Sequence, residues 1–229
     1  ELIFCPLGGS GEIGMNMNLY AYGKPGSQKW IIVDVGVTFA DDALPGIDLI
    51  YPDPGFIVER KDNLLGIVLT HAHEDHIGAI AHLWPNLKCK IFATPFTAVL
   101  IKEKFKEKQI DITKDLKIVQ LNGKVSLDPF EIEYITLTHS ILEPNGLRIK
   151  TPAEVFILSP LGSNIECVRV MYSISNGSKE IFPFNSTICK SLVISICFSL
   201  NFSLINTAVN GVAKILHCNF GHKCAIAPM

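Results

Sequence analysis

The sequence has little net charge and no recognisable targeting segment. Its 20 basic and 22 acidic residues give a formal charge of −2 at pH 7, which predicts no bulk attraction of the chain to polyanions. No signal peptide, lipidation motif or internal repeat is apparent. Residues 191–205 are apolar, but their uncharged core is short and interrupted by serine and asparagine, so we expect no membrane-spanning segment.

The sequence also lacks paired cysteine motifs. It contains seven cysteines, an odd number, without the spacing of matched pairs. Small disulfide-stabilised secreted domains carry cysteines in such pairs. The cysteine pattern therefore argues against a disulfide framework and predicts reduced thiols in a cytoplasmic protein.

The most informative residues follow a predicted buried strand. Residues 64–69 form a short apolar run that is typical of such a strand. The run Thr70-His71-Ala72-His73-Glu74-Asp75-His76-Ile77-Gly78 comes next and leads into a helix predicted over residues 75–83. A pair of histidines on a loop is common, but an HxHxDH run directly after a buried strand is a specific sign of a metal site.

The spacing within this run predicts two neighbouring metal sites. His71 and His73 lie two residues apart, so the alternation of a strand end directs both side chains to one side, where they can bind one ion. Asp75 and His76 begin the helix and can reach a second ion beside the first. Imidazole and carboxylate donors suit Zn²⁺ or a neighbouring divalent metal. Two such ions can activate water and hold a phosphate group during displacement.

The remaining pattern predicts strands first and then helices that alternate with strands. Strands are expected at residues 2–6, 18–22, 30–35 and 64–69, and a second helix at residues 95–108 with proline in its first turn. Asn122-Gly123 lies between the apolar runs 116–121 and 125–127 and predicts a two-residue β-hairpin. Residues 130–134 alternate between apolar and acidic side chains, which predicts a half-buried strand that leads to His139. The fold class is therefore a layered α/β sandwich with its chemistry on loops at strand ends.

Six separated segments of the chain resemble one known family. They are residues 6–16 (PLGGSGEIGMN), 32–36 (IVDVG), 45–48 (PGID), 70–78 (THAHEDHIG), 93–95 (ATP) and 137–141 (LTHSI). In this order they look like bacterial ribonuclease J, and Glu74 within the motif is typical of the β-CASP branch of the metallo-β-lactamase superfamily. The resemblance covers about residues 2–152. It implies an α/β fold of the αββα sandwich type, of which this chain would contain roughly the N-terminal half, followed by an unassigned apolar C-terminal tail.

The resemblance implies roles for six residues. His71, His73 and His139 would bind the first metal ion, whereas Asp75 and His76 would begin the second site. Asp75 would also act as the general base, and Asp34 would orient a ligand histidine through its outer ring nitrogen. The family uses two Zn²⁺ ions per active site, with Mn²⁺ or Mg²⁺ as alternatives, and its members form homo-oligomers. Its activity is hydrolysis of RNA by metal-activated water, both from the 5′ end and at internal bonds.

The resemblance stops near Pro152, where the composition also changes. Residues 153–229 contain only eight charged side chains but five of the seven cysteines. The family continues with a His-Thr-Gly-Asp segment whose aspartate bridges the two metals, whereas Leu161 lies near that position here. We therefore expect a domain at residues 1–152 that is the N-terminal part of a metallo-β-lactamase domain. Residues 153–229 would be a divergent or frame-shifted tail, and the chain a truncated, weakly active or inactive fragment.

Two other interpretations stay open at the level of the sequence. The first is a small metallo-hydrolase that acts on another substrate class, because the same metal ligands occur in enzymes that hydrolyse thioesters or lactams. The glycine-rich segment 8–16 and Glu74 argue against it. The second is a catalytically dead fragment or an interaction module, which the absent bridging aspartate favours. The sequence does not determine the metal, the RNA target or the oligomeric state.

Overall fold

The computed structural model describes residues 2–9, 14–40, 44–152, 155–159 and 166–168. Its strands are β1 (Leu2–Gly8), β2 (Met17–Tyr22), β3 (Lys29–Val33), β4 (Thr38–Phe39), β5 (Leu49–Ile50), β6 (Leu64–Val68), β7 (Lys90–Ala93), β8 (Leu116–Ile118), β9 (Lys124–Leu127), β10 (Phe130–Thr136), β11 (Asn145–Lys150), β12 (Val155–Ser159) and β13 (Glu166–Val168). The helices are α1 (Gly55–Val58), α2 (Glu74–Ile77), α3 (Ile80–Leu87) and α4 (Pro95–Glu107), and a 3₁₀ turn covers Lys61–Asn63.

Most strands belong to two sheets. The first has the order β1-β2-β3-β6-β7-β8, and the second is antiparallel with the order β13-β12-β11-β10-β9. Within the first sheet, β3, β6, β7 and β8 run parallel. The carboxyl ends of these strands therefore meet at one edge of the sheet, which brings together the loops that follow β3 and β6.

The first sheet is buried on both faces. On one face it packs against the helices, and this core contains Leu19, Ile32, Ile67, Ile80, Trp84, Ile101 and Phe105. On the other face it packs against the second sheet, in a core that contains Tyr20, Ile31, Val33, Val68, Phe130, Ile132, Tyr134 and Leu147. Neighbouring residues of one strand enter opposite cores because side chains alternate along a strand. The layer order of helices, sheet and sheet confirms the predicted α/β sandwich fold in its incomplete form.

The two predicted helices have different outcomes. The helix predicted at residues 95–108 is confirmed, because α4 spans Pro95–Glu107 and buries Ala98, Ile101 and Phe105. The prediction of one helix over residues 75–83 is wrong. The Ala79 amide donates to Val35 O at 3.0 Å, while Asp75 O, its expected helical acceptor, accepts from the Asn16 amide at 2.9 Å. These contacts with other segments separate α2 from α3.

The predicted hairpin at Asn122-Gly123 is also wrong. A turn does form there, since the Gly123 amide donates to Gln120 O at 2.8 Å and Asn122 has a φ of 56°. However, β8 pairs with β7 in the first sheet, whereas β9 pairs with β10 in the second. The turn therefore carries the chain from one sheet to the other. Local turn chemistry was identified correctly, but the partner of each strand is decided by the two cores.

The second sheet includes β12 and β13, which lie beyond residue 152. The proposed division of the chain at that residue stays a prediction. Leu161 and the apolar residues 191–205 lie outside the described ranges. Within those ranges, every helix is too short or too polar to cross a membrane.

Candidate metal centre

Two strand ends position the motif. Asp34 directly follows β3, and Thr70 and His71 follow β6, its parallel neighbour. His71 is fully buried at the edge of the sheet, and His73 is partly buried two residues later. The sequence folds this way because the apolar β6 strand is enclosed by both cores, which leaves the polar run beginning at Thr70 at the sheet edge.

Three histidines converge at this edge. Nitrogen atoms of His71, His73 and His139 all lie within 4.8 Å of one another. His71 Nε2 is 3.0 Å from His73 Nδ1, close to the separation of about 3.3 Å between two nitrogen ligands of a tetrahedral zinc ion. The His139 ring lies 5.1 Å from the His71 ring and 4.8 Å from the His73 ring, measured between centroids. This set of donors fits a zinc-like cation.

Asp75 and His76 lie beside this cluster. The His76 ring centroid is 4.0 Å from that of His71, and His76 Nε2 is 3.4 Å from Asp75 Oδ2. His76 is buried, whereas Asp75 is partly exposed. The structure thus brings together all five residues that the sequence analysis named as metal ligands, and their nitrogen and oxygen donors can hold divalent cations.

Asp34 connects the centre to the sheet. Its carboxylate is fully buried and accepts hydrogen bonds from the Thr70 amide at 2.8 Å and from Thr70 Oγ1 at 2.9 and 3.0 Å. The ring nitrogen Nδ1 of His76 lies 2.8 Å from Asp34 Oδ2. A carboxylate accepts only, so His76 donates from Nδ1, and its Nε2 is the atom that faces Asp75. Asp34 has a φ of 62°, a strained conformation that places its side chain beneath the motif.

Thr70 makes a similar contact with His71. Its hydroxyl donates to Asp34 and lies 3.0 Å from His71 Nδ1. Since the hydroxyl hydrogen is engaged by the carboxylate, Nδ1 of His71 is the donor in this second contact. The Nε2 lone pair of His71 consequently faces His73, in the tautomer that a metal ligand requires.

The pKa values of His71 and His73 favour neutral imidazole ligands. Burial, reinforced by the neighbouring His76, His73 and His139, lowers the pKa of His71 to about 2. Burial and the nearby His139 also lower the pKa of His73. Neutral imidazoles bind metal ions without first releasing a proton. His71 is therefore ready for a metal ion at neutral pH.

Asp75 and His76 form an ionised pair instead. Burial opposes the charge on His76, but the carboxylates of Asp34 and Asp75 outweigh it and raise the pKa of His76 to about 9. Burial likewise opposes the charge on Asp75, but its hydrogen bond and attraction to His76 lower the pKa of its carboxyl. A cation that binds His76 must therefore displace a proton at neutral pH.

Backbone hydrogen bonds hold α2 against the segment that follows β3. The Val35 amide donates to His76 O at 2.7 Å, and the Val37 amide donates to Glu74 O at 3.0 Å. Gly36 permits this approach, since a Cβ atom there would lie 1.7 Å from Asp75 O. The Glu74 side chain points to α4, where both of its oxygens accept from Lys104 Nζ at 2.6 and 2.8 Å.

Two residues that follow His139 fix the loop that contains it. The Asn145 amide and its side-chain Nδ2 donate to Thr70 O at 3.2 and 3.1 Å. Glu143 Oε2 accepts from the Phe96 amide at 2.8 Å, in the first turn of α4. These bonds join the His139 loop to the strand end that carries His71 and to the first turn of α4.

Four residues that shape the centre were not predicted from the sequence. Thr70, Asn145 and Glu143 act through the bonds described above, and Asn16 lies 3.3 Å from both Asp75 Oδ2 and His76 Nε2 through its Nδ2 atom. Thr70 is the first residue of the run 70–78 and Asn16 is the last residue of the segment 6–16, so both were visible as members of motifs. Glu143 and Asn145 carry no local signal, because their partners are distant in sequence.

Comparison with known proteins agrees with this geometry. A sequence profile of the metallo-β-lactamase superfamily matches residues 16–140. Ribonuclease J of Sinorhizobium meliloti is 47% identical over 153 residues, which are 66% of this chain and 27% of that protein. Ribonuclease J of Helicobacter pylori strain 26695 is 39% identical over 153 residues, which are 66% of this chain and 22% of that protein.

The chain thus spans about a quarter of the length of these curated relatives. Among solved structures, a metallo-β-lactamase fold protein of Bacillus subtilis, YhfI, is 15% identical with a TM-score of 0.46, and the match covers 69% of this chain and 61% of that one. The matched profile covers more than half of the chain and includes all five predicted ligands. The chain belongs to the metallo-β-lactamase superfamily.

Proposed function

We propose that this chain is the N-terminal part of a metal-dependent ribonuclease of the ribonuclease J type. The observation that carries the proposal is the convergence of His71, His73 and His139 beside Asp75 and His76. It occurs in a chain whose first two thirds are 34–47% identical to proteins named ribonuclease J. The substrate would be RNA, and the reaction hydrolysis of its phosphodiester bonds from the 5′ end and internally.

Each residue has a proposed role. His71, His73 and His139 hold the first cation, and Asp75 and His76 hold the second. Zn²⁺ is the cation that we favour, with Mn²⁺ or Mg²⁺ as alternatives, and it supplies Lewis acidity toward water and phosphate oxygens when bound. Asp75 is the general base, because its carboxylate is ionised and partly exposed beside the cluster. Asp34 and Thr70 fix the rings of His76 and His71.

We also propose that the 229-residue chain by itself turns over RNA slowly. The position expected to carry a bridging aspartate holds Leu161 in the sequence. A missing ligand alters both the electrostatics and the positioning of reacting groups, and misplacement of about 1 Å alone can cost about 100-fold in rate. A cytoplasmic location would suit an RNA substrate and the free thiols of Cys5 and Cys89.

The test is hydrolysis of 5′-monophosphorylated RNA by the purified chain with added Zn²⁺ or Mn²⁺. We expect weak cleavage that His73→Ala abolishes and that His82→Ala leaves unchanged. His82 is a suitable control because it lies on α3, stacked on Tyr51 outside the centre. Hydrolysis of a thioester or a lactam without RNA cleavage would refute the ribonuclease assignment, and rapid RNA cleavage would refute the proposal of low turnover.

A further inference from the structure

Asn16 is a buried polar residue for which the proposed function has no role. It is 3% exposed and lies just before β2. Its side-chain Nδ2 is 3.3 Å from Asp75 Oδ2 and 3.3 Å from His76 Nε2. These are the two atoms that would bind the second cation. The side-chain amide of Asn16 therefore faces the second cation site directly.

The oxygen of the Asn16 side-chain amide has no hydrogen-bond partner among the described residues. This atom, Oδ1, is buried. It lies against the backbone of Gly9, where a Cβ atom would be only 1.9 Å away. A buried polar atom without a partner carries a desolvation cost, and it calls for an explanation such as a bound ion or water.

The backbone of Asn16 is fixed while its side chain can turn. The backbone N–H of Asn16 donates to Asp75 O at 2.9 Å, and the backbone carbonyl of Asn16 accepts from the Gly36 N–H at 2.9 Å. A half-turn about the Cβ–Cγ bond exchanges Nδ2 and Oδ1. The turn loses one long hydrogen bond, which Nδ2 donates to Asp75 Oδ2 at 3.3 Å, and the oxygen has none to lose. The 3.3 Å contact between Nδ2 and Nε2 of protonated His76 joins two donors, so it is not a hydrogen bond that the turn would break.

We propose that Asn16 is the third ligand of the second cation, bound through its amide oxygen after this turn. The inference rests on the proposed metal centre. It adds a ligand that is neither a histidine nor a carboxylate, namely the side-chain amide oxygen of Asn16. Asp75 and Asn16 would then supply two oxygens and His76 one nitrogen. Oxygen donors favour harder cations than imidazole and thiolate do. The second site should therefore prefer Mn²⁺ relative to the three-histidine site, which should take Zn²⁺.

The test is a Mn²⁺ titration of the full chain after addition of one equivalent of Zn²⁺, with free Mn²⁺ measured by electron paramagnetic resonance. We expect the wild type to bind one Mn²⁺ and Asn16→Ala to bind it at least about 10-fold more weakly, with unchanged zinc affinity. Asn18→Ala is the matched control and should bind Mn²⁺ like the wild type. Asn18 is equally buried, and no hydrogen bond joins it to Asp75 or His76 among the described residues.

Equal Mn²⁺ affinity in the wild type and Asn16→Ala would overturn the inference, as would zinc binding by the wild type without any Mn²⁺ binding. Failure of the wild type to bind zinc would instead refute the proposed metal centre itself. Asn16→Asp keeps the size of the side chain, and it provides a second test if Asn16→Ala does not fold. Its carboxylate would repel Asp75 in the metal-free chain, so Mn²⁺ should raise its Tm more than that of the wild type. An equal or smaller rise would contradict a ligand role.

Discussion

The strongest prediction concerns the buried pair of Asp34 and His76. Asp34→Asn keeps the shape of the side chain, and its remaining oxygen can still accept from Thr70. Its new NH₂ group would face His76 Nδ1, which must then become the acceptor. The proton of neutral His76 would move to Nε2, the atom intended for the cation. Asp34→Asn should therefore weaken binding at the second site as well as stability.

The size of the stability loss expected in Asp34→Asn follows from the pKa of His76. The shift from 6.5 to about 9 corresponds to about 3 kcal/mol of stabilisation of the charged ring, at 1.36 kcal/mol per pKa unit. Asp34 is the largest cause that raises this pKa, so its loss should remove most of that energy. The folded-state pKa lies above the unfolded one, so the stabilisation is fully present below about pH 6.5 and is lost as the pH rises through about 9.

Urea denaturation of the metal-free chain at pH 6 and at pH 9.5 tests this reasoning. Asp34→Asn should be less stable than the wild type by up to about 3 kcal/mol at pH 6, and the deficit should shrink clearly at pH 9.5. Asp111→Asn is the control, because Asp111 is exposed and, among the described residues, its carboxylate accepts hydrogen bonds only from Thr113 in its own turn. A deficit of the same size at both pH values would show that Asp34 contributes through packing rather than through its charge.

Two further predictions concern the support of the centre. Gly36→Ala should destabilise the chain by about 1–3 kcal/mol or more in thermal unfolding, since its Cβ would collide with the Asp75 carbonyl. Gly55→Ala, where the added atom meets nothing closer than 3.1 Å, should be nearly neutral, and equal effects would contradict the steric argument. Thr70→Val removes the hydroxyl between Asp34 and His71 and should lower zinc affinity by about 10–100-fold in competition with a chelator. Unchanged affinity would mean that the tautomer of His71 is fixed by another contact.

Local patterns predicted the ligands because the chemistry of the motif is local. His71, His73, Asp75 and His76 lie within six positions after a strand whose apolar composition is itself visible. His139 lies 63 residues further along the chain, and Asp34 lies at the end of another strand. Both were assigned through family resemblance rather than spacing.

Long-range contacts explain what sequence reasoning did not predict. Ala79 bonds Val35 O rather than Asp75 O, so the predicted helix is divided in two. Asn122-Gly123 has the chemistry of a tight turn, but the strands on either side belong to different sheets. Asn16 belongs to the glycine-rich segment, but its role could not be predicted because it depends on a distance to Asp75 and His76 that only folding creates.

The central claim is that residues distant in sequence form one metal site, and His139 tests it most directly. Zinc affinity of the full chain should be measured by competition with a chromophoric chelator, for the wild type and for His73→Ala, His139→Ala and His82→Ala. We predict one tightly bound zinc ion in the wild type and a loss of at least about 100-fold in both His73→Ala and His139→Ala, with His82→Ala unchanged. Wild-type zinc affinity in His139→Ala would contradict the account, because the ion would then be bound without the residue that closes the site.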